Sequence, residues 1–143
     1  MKNALPTNIV KELISAAISA RENAYAPYSA FKVGAALLSN SGEVFTGCNV
    51  ENAAYGPTNC AERTAFFKAV CAGQKEFAAI AIVGAKEGSA LEFCPPCGIC
   101  RQVMAEFCNG DFLIITATSP DEFMVYTLDE MLPHRFGKDT LNQ

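Results

Sequence analysis

The chain has no run of basic residues. Lysine and arginine number 11 against 15 acidic residues, a formal charge of -4. Proteins that hold polynucleotides cluster Lys and Arg to neutralise phosphates. This balance argues against a nucleic-acid partner and leaves room for small neutral or cationic molecules. A long apolar run is also missing. The longest uncharged one covers residues 77–85, whereas a bilayer span needs roughly 20 residues. The opening Met1-Lys2-Asn3-Ala4-Leu5-Pro6 lacks the apolar core of a signal, and the next apolar stretch carries Lys11 and Glu12. These absences predict a soluble, cytoplasmic chain with no membrane partner. Internal repeats, low-complexity tracts and interdomain linkers are absent too, so residues 1–143 read as a single domain. Histidine occurs once, at His134, outside every motif below, and reads as a surface residue.

Cysteine, by contrast, is abundant. There are 7, an odd number that suits a disulfide scaffold poorly. In a reducing compartment, clustered cysteines more often bind metal or do chemistry. Half of the residues are hydrophobic, enough for a substantial core. Ile9, Val10, Leu13, Ile14, Ala17 and Ala20 recur at helical spacing and predict a helix over 8–23. Strands are expected over 31–38 and 43–48, joined by the turn Ser39-Asn40-Ser41-Gly42, and over 78–84, 112–116 and 122–126. Further helices are expected over 60–72, ended by Gly73, and over 97–108, with a short one opened by the capping-box pair Thr127 and Glu130 and ending before Pro133. Helices and strands in this order predict an α/β protein, a layered αβα domain around a mixed, five-stranded sheet.

Two segments carry the chemistry: Cys60-Ala61-Glu62 and Pro96-Cys97-Gly98-Ile99-Cys100. Cys97 and Cys100 stand three apart at a helix start, so both sulfurs lie on one face and can hold one ion. Cys60 opens another expected helix. Helix N-termini carry free amide donors and positive potential, which favour the thiolate that zinc requires. Zinc would sit about 2.3 Å from each sulfur. Three protein ligands leave a fourth position for water, whose pKa the metal lowers. Glu62 is the natural proton carrier. Residues i and i+2 do not share a helix face, so Glu62 reaches that water only if Cys60 lies where the backbone is not yet helical. Asn59 as N-cap would allow this.

The pairing of Cys-x-Glu with Pro-Cys-x-x-Cys is the zinc-deaminase signature. The chain resembles the small, homotetrameric cytidine deaminases over most of its length. The resemblance runs through Ala26-Pro27-Tyr28-Ser29, Phe31-Lys32-Val33-Gly34-Ala35-Ala36, Asn49-Val50-Glu51-Asn52, Cys60-Ala61-Glu62-Arg63, Pro96-Cys97-Gly98-Ile99-Cys100-Arg101-Gln102, Leu132-Pro133 and Phe136-Gly137. Cys60 stands where deaminases of deoxycytidylate and of nucleic acids usually carry His. The resemblance implies one zinc per chain on Cys60, Cys97 and Cys100. It implies attack of zinc-bound hydroxide on C4 of cytidine or deoxycytidine, giving the uracil nucleoside and ammonia, with Glu62 as proton shuttle. It also implies that Asn49 and Glu51 bind the ribose hydroxyls, that Phe31 packs near the base and that the Ala61 main chain meets the base edge. Phe136 would lie over a neighbouring subunit's site, and Tyr55 would act across an interface of the homotetramer. Three thiolates around one zinc leave net negative charge, and Arg63 is placed to offset it by hydrogen-bonding a thiolate.

Blander readings compete with each assignment. Cys94, Cys97 and Cys100 form two Cys-x-x-Cys steps and with Cys60 could close a structural four-cysteine cage. Such a cage has no use for Glu62, and Pro95-Pro96 makes the common tetrahedron awkward. Taken alone, Glu62 fits a capping glutamate reaching back to Asn59. Arg63 and Arg101 alone would be solvated helix residues, Asn49 and Glu51 loop polar groups, and Phe31 core. Cys48, Cys71 and Cys108 read as buried apolar cysteines. Among functions, the alternatives are a blasticidin-type deaminase, a non-catalytic zinc module and a nucleic-acid editor.

Overall fold

The computed structural model describes residues 4–142. The reading of residues 1–3 as lacking a signal core lies outside them. The elements run α1 (Thr7–Arg21), β1 (Phe31–Ser39), β2 (Val44–Cys48), α2 (Ala61–Cys71), β3 (Phe77–Lys86), α3 (Gly98–Phe107), β4 (Leu113–Ser119), β5 (Glu122–Thr127), α4 (Leu128–Met131) and α5 (Lys138–Leu141). The strands form one five-stranded sheet in the order β2-β1-β3-β4-β5. It is mixed: β3 and β4 are parallel, and the other neighbours are antiparallel. Helix α3 makes the crossover that a parallel pair requires. Each expected element is present within a few residues, and α5 is an addition that no sequence signal announced.

Strand side chains alternate between the two faces. In β1 and β3, Leu37, Ile80 and Ile82 face one layer of helices, while Ala36, Ala79, Ala81 and Val83 face the other. The first face packs on Ala65 and Phe66 of α2 and on Met104 of α3; the second packs on Val10, Leu13, Ile14 and Ala17 of α1. Full burial of each large apolar side chain contributes about 1.5–3 kcal/mol. Two glycines set how closely the layers approach. A Cβ on Gly34 would stand 2.0 Å from the Ala17 carbonyl oxygen of α1, and one on Gly47 would stand 2.4 Å from the Ala61 oxygen and 2.6 Å from the Ala65 nitrogen. The bare backbone of β2 therefore lets the first turn of α2 lie directly on it.

Helix α1 ends two residues before the expected limit, where the Glu22, Asn23 and Ala24 amides turn to the i−3 carbonyls of Ser19, Ala20 and Arg21, and the Arg21 side chain reaches the sheet. Its Nε–H donates to the Lys32 oxygen at 2.8 Å and Nη2 donates to the Ala85 oxygen at 2.9 Å. Helix α2 closes as anticipated around Gly73, which takes φ 90° while the Gly73 and Gln74 amides return to Val70 and Ala69. The capping box of Thr127 and Glu130 opens α4.

Candidate active site

Both metal-ligand segments end in a helix N-terminus. Cys60 is the N-cap of α2, with φ -74° and ψ 156°, and Cys97 is the N-cap of α3, with φ -68° and ψ 167°. This corrects the expectation that Asn59 caps α2. Asn59 is held in extended backbone by a two-way bridge to Val50, 2.9 Å in each direction, and its amide donates to Thr64 at 3.1 Å. The extended backbone at Cys60 also answers the i, i+2 difficulty, since the N-cap side chain leaves the helix in a non-helical direction.

The three sulfurs converge. Cys60 Sγ lies 3.7 Å from Cys97 Sγ, which lies 3.5 Å from Cys100 Sγ. All three lie within 4.8 Å of one another. Tetrahedral sulfurs about 2.3 Å from a zinc ion stand roughly 3.8 Å apart, so the trio fits one ion. Cys94 is elsewhere: its Sγ packs over Gly84, 3.0 Å from where a Cβ would be. Burial, reinforced by the nearby Glu62 carboxylate, pushes the Cys94 thiol up to about 12. Among the described residues the cluster is therefore a trio, and the four-cysteine cage is set aside.

Electrostatics favour a thiolate at Cys60. Hydrogen bonding from Cys100, then from Arg63 and Cys97, holds its thiol well below the ordinary range. The Arg63 Nη2 lies 3.5 Å from the Cys60 sulfur, as the charge argument required, while its buried Nε has no partner. Glu62 is 4 % exposed, on the core side of the first turn of α2. Burial pushes its carboxyl up to about 7, with the Cys60 charge adding to the rise. The Cys60 side chain makes no capping hydrogen bond, the Asn59 N–H that a capping box would use donates to Val50, and the Glu62 carboxyl accepts from its own N–H. Taking a carboxyl out of water carries a large desolvation cost, which its own N–H and the Cys100 thiol only partly offset. Glu62 lies beside three sulfurs that could hold one metal ion, with its carboxyl poised near neutrality.

The region from residue 7 to 116 matches the family model described as the cytidine and deoxycytidylate deaminase zinc-binding region. The chain belongs to the cytidine and deoxycytidylate deaminase family. A cytidine deaminase of Sporosarcina psychrophila is 49% identical over 133 residues, 93% of this chain and 95% of that protein. The crystal structure of cytidine deaminase from Burkholderia pseudomallei shares 52% identity at a TM-score of 0.79, over 87% of this chain and 97% of that one. That of the Mycobacterium tuberculosis cytidine deaminase shares 38% at 0.77, over 94% and 99%.

The other positions expected of a deaminase fall into two groups. Asn49 is buried between strands: its Oδ1 accepts from the Val33 N–H and its Nδ2 donates to the Phe31 oxygen, both at 2.8 Å. Glu51 follows two residues later, and the Val50–Asn59 bridge ties this loop to the residue before Cys60. The Phe31 ring lies over Gly84 beside Cys94. Ala61 is fully buried at the head of α2. Tyr55 and Phe136, by contrast, are 92 % and 58 % exposed; the Phe136 carbonyl is fastened to α3 by Gln102 at 2.9 Å. His134 is at the surface as expected, with φ 53°.

Sequence reasoning overlooked Arg101. It is not a solvated residue: Nε–H donates to the Pro96 oxygen at 2.8 Å and Nη1 to the Met131 oxygen at 2.6 Å. It clamps the carbonyl just before Cys97 to the end of α4. Its place immediately after the second cysteine of Cys-x-x-Cys gave no mark of the Met131 acceptor. The reading of Cys48, Cys71 and Cys108 as buried is also corrected. Cys71 is exposed at the last turn of α2, and the other two are half-buried, because a helix end and a strand edge leave one side open.

Proposed function

We propose that this chain deaminates free cytidine or deoxycytidine hydrolytically, exchanging the C4 amino group for oxygen and releasing ammonia. The observation that carries the reading is a buried Glu62, with its carboxyl near 7, beside three convergent cysteine sulfurs. Cys60, Cys97 and Cys100 would hold one zinc ion, which when bound would supply the Lewis acid that activates a water. Glu62 moves two protons: one from the attacking water to N3 of the pyrimidine, then the remaining proton of the hydroxyl added at C4 to the amine, which leaves as ammonia while the carbonyl forms. A carboxyl poised near ambient pH suits both directions of transfer. Burial of Glu62 keeps bulk water from short-circuiting the shuttle. Arg63 offsets the charge of the thiolates. The Ala61 main chain meets the base edge and Phe31 packs against the ring. Asn49 and Glu51 bind the sugar.

The chain acts as one catalytic domain and assembles as a homotetramer in the cytoplasm. The aromatic side chains of Tyr55 and Phe136, exposed on the single chain, support a site completed by neighbouring copies. Among the described residues no helix is long and apolar enough to cross a membrane. The test follows loss of cytidine absorbance in the purified zinc-loaded protein, with deoxycytidine and free cytosine alongside. Cytidine or deoxycytidine is turned over efficiently, cytosine very poorly. A site built around a polar partner rejects analogues that lack the matching group, because the buried group is left unpaired. Turnover of cytosine matching that of cytidine overturns the substrate assignment.

A further inference from the structure

Glu51 is held more elaborately than a sugar contact requires. Its Oε1 accepts from the N–H groups of Tyr28 at 2.9 Å and Ser29 at 3.1 Å. Its Oε2 accepts from the Ser29 hydroxyl, which itself accepts from the Phe31 N–H at 3.0 Å. Ala30, between these donors and β1, adopts φ 58°, a left-handed conformation that a non-glycine residue keeps only when its surroundings over-determine it. Here the Ala30 N–H donates to Ala26 at 3.0 Å and its carbonyl accepts from the Glu87 N–H at 2.7 Å. The loop thereby curls its amides around one carboxylate. Together these donors keep the carboxyl below its usual range, the Ser29 hydroxyl most of all.

A carboxylate offers about four acceptor positions. The Tyr28 and Ser29 amides fill those of Oε1, and the Ser29 hydroxyl fills one on Oε2. One position remains, on the oxygen that Ser29 holds. Tyr28, Ser29, Glu51, Asn52, Tyr55 and Thr58 line an open hollow of about 250 Å³ at this place.

We propose that Ser29 is a positioning residue for substrate specificity: its hydroxyl fixes the Glu51 carboxylate so that a single acceptor is presented to a sugar hydroxyl. The inference rests on the reading of Glu51 as a sugar contact. Without the Ser29 hydroxyl, Oε2 swings more freely about the last side-chain torsion. Binding the sugar must then order it, and that loss falls on affinity rather than on chemistry at C4.

The test compares cytidine with 2′,3′-dideoxycytidine, which lacks both ring hydroxyls, in wild-type, Ser29→Ala, Ser29→Thr and Glu51→Ala proteins, each loaded with zinc. Ser29→Ala raises KM for cytidine about tenfold, the scale of a weakened hydrogen bond to a charged group, with kcat little changed. Its efficiency on 2′,3′-dideoxycytidine stays within about twofold. Ser29→Thr, which keeps the hydroxyl, restores the cytidine KM. Parallel losses on both substrates would make Ser29 only a support for the start of β1 and overturn the proposal, as would no change on either. Glu51→Ala separates the two levels. If it leaves the ratio of the two substrates untouched, the sugar-contact reading fails; if it collapses that ratio while Ser29→Ala does not, only the role of Ser29 fails.

Discussion

At the scale of single residues, the Glu62 carboxyl is buried beside a Cys60 thiol held well below its ordinary range. Glu62→Gln keeps the size and hydrogen-bonding reach of the side chain but cannot carry a proton. Zinc content and fold survive the change, and kcat falls about 10²-fold or more; elemental analysis beside steady-state kinetics checks both halves. Near-normal turnover would return Glu62 to an inert role. The cysteines divide just as sharply. Cys97→Ser loses zinc, since its sulfur lies within 3.7 Å of both partners' sulfurs. Cys94→Ser keeps zinc, because that thiol packs over Gly84 instead. Metal content measured on the two variants decides the matter. Cys97 and Cys100 were legible from their spacing at a helix start, and Cys60 and Glu62 from the pairing of Cys-x-Glu with Pro-Cys-x-x-Cys. Arg101 and Ser29 were not. Their partners, Met131 and Glu51, lie 30 and 22 residues away, and an arginine or serine carries no local mark of a distant acceptor.

At the scale of elements, the decisive device is the contact of β2 with α2. The active-site end of α2 can sit where it does because Gly47 has no side chain. Gly47→Ala puts a methyl 2.4 Å from the Ala61 oxygen, a backbone atom with little freedom to yield. Overpacking of this kind destabilises by about 1–3 kcal/mol, a fall in Tm of several degrees for a domain of this size. Calorimetry reads that fall, and activity at a temperature well below Tm falls with it, because the displaced backbone carries Cys60 and Glu62. A loss of stability with unaltered activity would show that the helix shifts as a unit without disturbing its first turn. The helices and strands themselves were readable from periodicity and turn residues. The start of α2 was misjudged by one residue, and the reason is physical. Asn59 is a favoured capping type, yet pairing with Val50 across the loop commits its backbone to an extended bridge, and the cap passes to Cys60. Local preference yielded to a contact between segments.

At the scale of the molecule, two exposed aromatic side chains are the notable property. Tyr55 and Phe136 are exposed in the single chain, an arrangement that suits association. Sedimentation of the zinc-loaded protein yields a tetramer, and dilution that produces monomers abolishes turnover; a fully active monomer would refute the assembly.

The order of strands in the sheet differs from their order in the chain, and this matters while the protein is being made. The central strand, β3, is the third to emerge, and α3 follows it. Cys60 leaves the ribosome 37 residues ahead of Cys97. At roughly 5–20 residues per second, it waits for seconds as a lone thiol, with no second or third sulfur beside it. Only when β3 has slotted in and α3 has crossed over do all three meet. All three sulfurs can meet only late in biosynthesis, and in a nascent chain stalled before Cys97 the Cys60 thiol lacks the Cys100 and Cys97 hydrogen bonds that lower it in the folded chain.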